Sequence, residues 1–81
     1  MRIFSVYDSK VEAYMTPFFM KSKGEAIRSF ADAANDSSTY VSKHPGDYTL
    51  FDLGEFDEET ATFTLSSTPI SLGVAVEFVK S

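Results

Sequence analysis

The spacing of apolar residues changes along the chain and separates one helix from several strands. Between Ser22 and Asp36 apolar residues recur every three or four positions, the spacing of an amphipathic helix with one buried face. Ser22 and Glu25 form a predicted capping box, in which each side chain bonds the other residue's backbone N–H and so starts the helix. The predicted buried face consists of Ala26, Ile27, Phe30, Ala31 and Ala34.

The residues before the helix predict a β-hairpin. Residues 2–7 and 11–15 are rich in β-branched and aromatic residues, which favours two strands. The polar residues 8–10 between them suit a turn, because Asp and Ser side chains bond nearby backbone groups. Pro17 lacks an N–H and must end the second strand or lie at a sheet edge. We expect Phe18–Met20 to lead into the helix.

The residues after the helix begin with loops. Residues 36–42 are polar and predict a loop. The HPGD sequence at 44–47 has Pro and Gly at the central positions of a type II turn, where Gly would supply a positive φ.

A second hairpin is predicted in the remaining sequence. Residues 48–53 and 61–65 predict paired strands, with a bulge or strand end at Gly54 and an acidic turn at 57–60. Alternation in the second strand predicts that three side chains face inward: Ala61, Phe63 and Leu65.

The end of the chain is compatible with two structures. Pro69 is expected to break the preceding strand, and residues 70–79 fit either a strand, which we favour, or a short helix. The element order is then ββαββ(β). It predicts an α+β fold, in which a small antiparallel sheet of four or five strands carries one amphipathic helix on one face.

Composition narrows the class of protein. A chain of 81 residues is expected to form one domain, residues 1–81. The absence of cysteine excludes disulfides and thiolate metal sites. The sequence has no signal-peptide pattern and no apolar run near the roughly 20 residues that cross a bilayer, so we expect a soluble intracellular protein without membrane contact. A net charge of −5 argues against purely electrostatic nucleic-acid binding but allows a local basic patch.

Several motifs, in their order and spacing, resemble a known viral family. They are YDSK-x-EAY at 7–14, TPFF at 16–19, KGEAIR-F at 23–30, YTLFDLGEFD at 48–57 and PISLGVA-EF at 69–78. Together they resemble the small nonstructural protein of gokushovirus-type microviruses, tailless phages with circular single-stranded DNA genomes. The resemblance implies a role in phage DNA replication in the host bacterial cytoplasm, promoting single-stranded DNA synthesis and packaging. It implies no catalytic residues.

Enzymatic chemistry is not expected. The single histidine, His44, precedes a Pro-Gly pair and is interpreted as an exposed turn residue, because a general base needs an orienting partner and a nucleophile. The four glycines are scattered and form no phosphate-binding loop. We expect no cofactor and no metal. The acidic residues lack the EF-hand spacing and are interpreted as a solvated turn: Asp52, Glu55, Asp57, Glu58 and Glu59.

Binding of single-stranded DNA is the favoured function. It requires basic residues near aromatic rings on which bases can stack. The candidates are Arg2, Lys10, Lys21, Lys23 and Arg28 with Tyr14, and Tyr7 and Tyr40 are further possible platforms. The alternative is that these are ordinary surface charges and that the tyrosines lie at the edges of the core.

A second hypothesis is an interaction module that binds a viral or host replication protein without contacting DNA. The net negative charge and the acidic residues 52–59 motivate it. Under either hypothesis we expect a homodimer or higher homo-oligomer, paired through sheet edges such as 11–15 or 74–79. The adjacent Phe18 and Phe19 are expected to pack in the core, with exposure of one at an interface as the alternative.

Overall fold

The computed structural model describes residues 1–80 and shows an antiparallel sheet with one main helix. The strands are β1 (Arg2–Asp8), β2 (Ala13–Tyr14), β3 (Phe18–Met20), β4 (Tyr48–Asp57) and β5 (Thr62–Val74). The helices are α1 (Lys23–Ala34) and the short α2 (Tyr40–Lys43), and 3-10 turns cover Pro45–Asp47 and Ala75–Phe78. The predicted α+β fold class is confirmed.

Strand β1 lies inside the sheet. It pairs with β4 on one side and with both β2 and β3 on the other. The sheet order is β2-β1-β4-β5, and β3 pairs with the first residues of β1 on the same side as β2. Between β2 and β3 the Met15 N–H donates to the Val6 carbonyl at 2.8 Å, and the Ser5 hydroxyl donates to the Met15 carbonyl at 2.6 Å. Pro17 lies in this gap on the sheet edge, as its missing N–H requires.

The core lies between α1 and one face of the sheet. Phe4 of β1 and Leu50 of β4 are fully buried, and they pack in one cluster with Ala26, Phe30 and Ala34 of α1. These three are members of the predicted helix face, and Ile27 is half-buried against the same cluster. The Ser22 hydroxyl accepts from the Glu25 N–H at 3.2 Å, which confirms Ser22 as the N-cap.

The first hairpin is shorter than predicted. Only Ala13 and Tyr14 of residues 11–15 form a strand, because Val11 and Glu12 belong to the turn. Glu12 has φ of +57°, and Asp8 accepts from the Lys10 N–H at 2.9 Å, as the turn prediction required. Residues 11–15 are therefore not the extended edge on which we expected self-association.

Phe18–Met20 is a strand and not a lead into the helix. Phe18 packs on Phe4 in the core with ring centroids 5.8 Å apart, whereas Phe19 is 41% exposed on the opposite side of β3. The expectation that both rings pack in the core was wrong, because neighbouring residues of a strand face opposite sides.

The connection after α1 is more ordered than predicted. Residues 36–42 include the start of α2, where Thr39 accepts from the Ser42 N–H at 3.0 Å. The predicted type II turn at 44–47 is a 3-10 turn, and Gly46 does not adopt a positive φ. Local side-chain capping by Thr39 therefore competes successfully with the loop conformation that polar composition favours.

The second hairpin is longer than predicted. Strand β4 continues through Gly54 to Asp57, and β5 continues past Pro69 to Val74. Pro69 does not end the strand because it lies in the edge strand, in a stretch of extra residues (66–69) opposite Leu53. Residues 70–79 then divide into a strand and the 3-10 turn Ala75–Phe78, so 74–79 is not a strand edge either.

The far part of this hairpin, residues 54–65, extends away from α1, and we call it the arm. The molecule measures 42 × 24 × 18 Å, whereas a helix of 12 residues is about 18 Å long. Phe63 and Leu65 are 57% and 64% exposed because the register of β4 and β5 places them on the sheet face opposite α1, so the prediction that they face inward was wrong. Ala61, also predicted inward, is exposed in the turn. Among residues 1–80 no helix has the length and apolarity needed to cross a membrane.

Gly54 allows the bulge predicted at this position, and replacing it should destabilise the fold. Its φ is +144°, and a Cβ atom there would lie 2.3 Å from the Thr64 carbonyl oxygen. We expect Gly54→Ala to lower the free energy of unfolding by about 3 kcal/mol in urea denaturation, from backbone strain and steric overlap. Gly46→Ala is the matched control, because no atom lies within 4 Å of its added methyl group. Equal stability of the two variants would contradict the bulge geometry.

Candidate functional site

The face of the sheet opposite α1, which we call the outer face, carries a first group of aromatic rings. Tyr7 and Tyr14 are direct partners across β1 and β2, with ring centroids 4.9 Å apart. Phe51 of β4 lies 6.4 Å from Tyr7 and 5.5 Å from Tyr14. Because Val6 and Leu50 point into the core, their neighbours Tyr7 and Phe51 point outward. We call Tyr7, Tyr14 and Phe51 the tyrosine cluster.

A second aromatic group lies on the outer face at the base of the arm. Phe56 of β4 lies 4.8 Å from Phe63 of β5 and 5.7 Å from Phe19 of β3, between ring centroids. We call these three rings the phenylalanine cluster. Ile3 pairs with Phe19 and is almost fully buried beside this cluster. An apolar surface of this kind on one sheet face is typical of an interaction site.

A one-residue slip in β4 places both clusters on the same face. The register with β1 pairs Phe4 with Asp52 and Ile3 with Gly54, so Leu53 has no partner of its own. Without this slip Phe51 and Phe56 would face opposite sides, because strand side chains alternate. Sequence reasoning missed the phenylalanine cluster for this reason, and it missed the tyrosine cluster because that cluster depends on the pairing of β1 with both β2 and β4. The glycine at position 54 was the available signal, because a bulge there reverses the alternation of the side chains that follow it in β4.

Arg2, a predicted nucleic-acid contact, is engaged within the protein. Its guanidinium donates to both carboxylate oxygens of Asp52, at 3.0 and 3.2 Å, and lies 4.0 Å from Glu55. The hydrogen bond with Asp52 raises the pKa of Arg2 above its ordinary value. Asp52 is buried and also accepts from the Gly54 N–H at 3.1 Å. The interpretation of Asp52 as part of a solvated acidic turn was therefore wrong.

The other predicted basic residues fall into two places. Lys10 is exposed in the turn that joins the strands carrying Tyr7 and Tyr14, at one end of the tyrosine cluster. Lys21, Lys23 and Arg28 are exposed around the start of α1, directly after β3. Tyr14, the predicted aromatic contact, is 47% exposed in the tyrosine cluster.

The tip of the arm is acidic, as the turn prediction required. Asp57, Glu58 and Glu59 are exposed there, and Asp57 accepts from the Glu59 N–H at 2.9 Å. Ala61 closes the turn with φ of +59°. Among residues 1–80 no group of three or more histidines and acidic residues is placed to hold a metal ion. Three acidic residues thus lie beyond the phenylalanine cluster, whereas Asp8 and Glu12 flank the turn that carries Lys10.

An apolar groove of about 440 Å³ lies between the β1–β2 turn and α2. Val11, Met15, Tyr40 and Val41 contribute to its walls, and Asp8 is the one charged side chain that lines it. Burial, followed by the nearby Asp8 carboxylate, raises the pKa of the Tyr48 hydroxyl above its ordinary value. The groove joins segments that are distant in sequence, so no local pattern could have predicted it.

The amino-acid sequence matches a known protein family. The family model described as Phage ORF5 protein matches residues 1–78. The chain belongs to the Phage ORF5 protein family. No curated protein and no solved structure is significantly similar to it. Family membership confirms the phage origin that the resemblance implied, while the nonstructural, replication-associated role stays a prediction.

Breaking the Arg2–Asp52 pair should destabilise this Phage ORF5 family protein. Removing the guanidinium leaves a buried carboxylate without its charged partner, which costs about 2 kcal/mol. We therefore expect Arg2→Met, which keeps the apolar stem, to lower the free energy of unfolding by about that amount in urea. Glu55→Gln is the control, because Glu55 is exposed and only approaches Arg2 to 4.0 Å. If Arg2→Met were as stable as Glu55→Gln, the pair would contribute nothing to stability.

Proposed function

We propose that this Phage ORF5 family protein acts without enzymatic activity in phage DNA replication in the host bacterial cytoplasm. In this proposal it binds single-stranded DNA on the outer face of its sheet and so favours single-strand synthesis and packaging. The observation that carries the proposal is the tyrosine cluster, in which three rings from three strands contact one another on an open sheet surface.

The tyrosine cluster supports base stacking without sequence preference. Stacking of a base on an aromatic side chain contributes about 1–3 kcal/mol and is tolerant of sequence, since every base has a π-face. Tyr14 presents a half-exposed ring, while Tyr7 and Phe51 hold it from two sides. Because the cluster is built on paired strands, the platform needs little ordering when DNA binds.

The distribution of charge supports a path for the phosphates. Lys10 lies at one end of the tyrosine cluster, and Lys21 and Lys23 flank the start of α1, where the helix dipole favours anions, with Arg28 in the second turn of the helix. The acidic tip of the arm repels phosphates at the opposite end of the outer face. In this proposal the strand therefore crosses the tyrosine cluster and avoids the arm. Arg2 stabilises the fold and is not used for phosphate contact.

Removing the stacking ring should weaken DNA binding. We expect Tyr14→Ala to lower the affinity for a labelled single-stranded oligonucleotide about tenfold in fluorescence anisotropy, because one base no longer has a ring to stack on. Tyr40→Ala is the matched control, because Tyr40 is an even more exposed tyrosine outside the cluster, and its affinity should stay unchanged. Equal affinities of the two variants, or no binding by the unmodified protein, would reject the stacking proposal.

Charge reversal at the start of α1 should change the salt dependence of binding. For a single strand, the slope of log affinity against log salt becomes shallower by about 0.7 for each phosphate that the protein no longer neutralises. We expect Lys21→Glu with Lys23→Glu to weaken binding and flatten that slope. Lys43→Glu with Lys80→Glu changes the net charge equally at other exposed lysines and should have the smaller effect. Identical slopes for the two double variants would exclude Lys21 and Lys23 as phosphate-binding residues.

The acidic tip of the arm favours a second candidate function, binding of a basic replication protein of the virus or host. Asp57, Glu58 and Glu59 are exposed at the end of a projecting hairpin, where a partner could reach them. We expect Glu58→Gln with Glu59→Gln to abolish the capture of partners from infected cells after nuclease treatment, while oligonucleotide binding stays unchanged. If partner proteins are still captured after nuclease treatment and this variant loses them, the second function is favoured. If nuclease treatment abolishes their capture, the first function is favoured.

A further inference from the structure

The two edges of the sheet differ in length and protection. On one edge, β2 and β3 contain only 2 and 3 residues, and Pro17 lies between them. Charged residues flank them on both sides, which is a common way to prevent edge-to-edge pairing. On the other edge, β5 contains 13 residues and, within residues 1–80, pairs only with β4.

The β5 edge lacks the charges that usually protect such a strand. No charged residue occurs between Glu59 and Glu77, although the chain carries 12 acidic and 7 basic residues. Pro69 is the one protective residue, and it lies in the later half of the strand. The segment Thr62–Thr68 therefore presents unpaired backbone groups beside the exposed apolar side chains Phe63 and Leu65.

We propose that Thr62–Ser66 pairs antiparallel with the same residues of a second copy of this chain, so that two sheets join into one in a homodimer. This inference goes beyond the proposed DNA binding and does not depend on it. A two-fold axis makes the edge self-complementary and closes the assembly at two copies.

Electrostatic repulsion selects the antiparallel orientation of the two copies. The single long free edge that each subunit has within residues 1–80 limits the assembly to two copies. A parallel pair would place two acidic tips side by side, each with Asp57, Glu58 and Glu59. An antiparallel pair separates the tips to opposite ends of the shared strands. The uncharged segment of β5 lies between the acidic tip and the rest of the sheet. An antiparallel pair formed through this segment keeps each acidic tip away from the other. Each subunit then uses the one long free edge that residues 1–80 form, so no third copy can add.

The apolar side chains favour one register of this pair. Alternation along β5 puts Phe63 and Leu65 on the outer face, and Phe63 already contacts Phe56 and Phe19 there. Pairing centred on Thr64 places Phe63 of one copy opposite Leu65 of the other, twice across the axis. The phenylalanine clusters of both copies then become continuous, and the exposed side chains of Phe63 and Leu65 are partly covered.

Sedimentation equilibrium of the full chain over a concentration series tests the proposal, and we expect a monomer–dimer equilibrium. Leu65→Lys places a charge next to Phe63 of the partner twice, so its dimer dissociation constant should rise at least about tenfold. Val11→Lys is the matched control at a similarly exposed residue near the other edge, and its constant should not change. A purely monomeric protein, or an effect of Val11→Lys alone, would overturn the proposal. Circular dichroism checks that both variants fold.

Cysteine cross-linking tests the register, since the natural chain contains no cysteine. We expect Thr64→Cys to form an intermolecular disulfide on mild oxidation, because residues at the two-fold axis bring their Cα atoms within about 4.5–5.5 Å. Ser37→Cys, exposed after α1, should cross-link much more slowly. Equal rates for the two variants would reject pairing centred on Thr64, even if a dimer forms.

Discussion

One helix must cover a sheet that is much longer than the helix itself, and the rest of the structure follows from this mismatch. Helix α1 is about 18 Å long, whereas the molecule extends over 42 Å. Hydrophobic burial is therefore concentrated where α1 lies, over Phe4 and Leu50. The arm extends beyond the helix, and the register of its strands turns Phe56, Phe63 and Leu65 to the face opposite α1, so these side chains lie outside the core. Residues 1–80 contain no second long helix that could cover that face.

The boundary between the covered and the bare sheet is marked by a buried ion pair. Asp52 is the last core-facing residue of β4 before the bulge, and Arg2 reaches it from the neighbouring strand. The slip at Leu53 follows directly, and it keeps Phe56 on the same outer face as Phe51. The pair thus satisfies a polar group at the point where the apolar core ends, as a buried carboxylate requires.

The outer face and the arm divide into surfaces of different chemistry. The tyrosine cluster offers aromatic rings, the arm's tip offers carboxylates, and the free edge of β5 offers uncharged backbone and apolar side chains. A Phage ORF5 family protein of this size could thus contact DNA, a basic protein and its own copy without competition between the surfaces. The tyrosine cluster lies on the sheet face opposite α1, the acidic tip lies in the turn of the arm, and the free edge belongs to the last strand of the sheet.

The sequence by itself determined the elements whose stabilising contacts are local. The Ser22 cap, the buried face of α1, the polar turn after β1 and the acidic turn depend on residues a few positions apart, and all were predicted. Gly54 was predicted as a bulge or a strand end, and pairing with β1 and β5 decided for the bulge. Tertiary structure also decided where most strands ended and which of their side chains faced the core. The alternation correctly predicted that Phe63 and Leu65 share one face of the strand. It did not predict that this face is exposed. Burial depends on which face of the sheet a distant helix covers and on the register that turns a side chain to that face, and no pattern within the strand records either. The register between β1 and β4, which are distant in sequence, also decided two other contacts. It brings Arg2 to Asp52, and it brings Phe51 to Tyr7 and Tyr14.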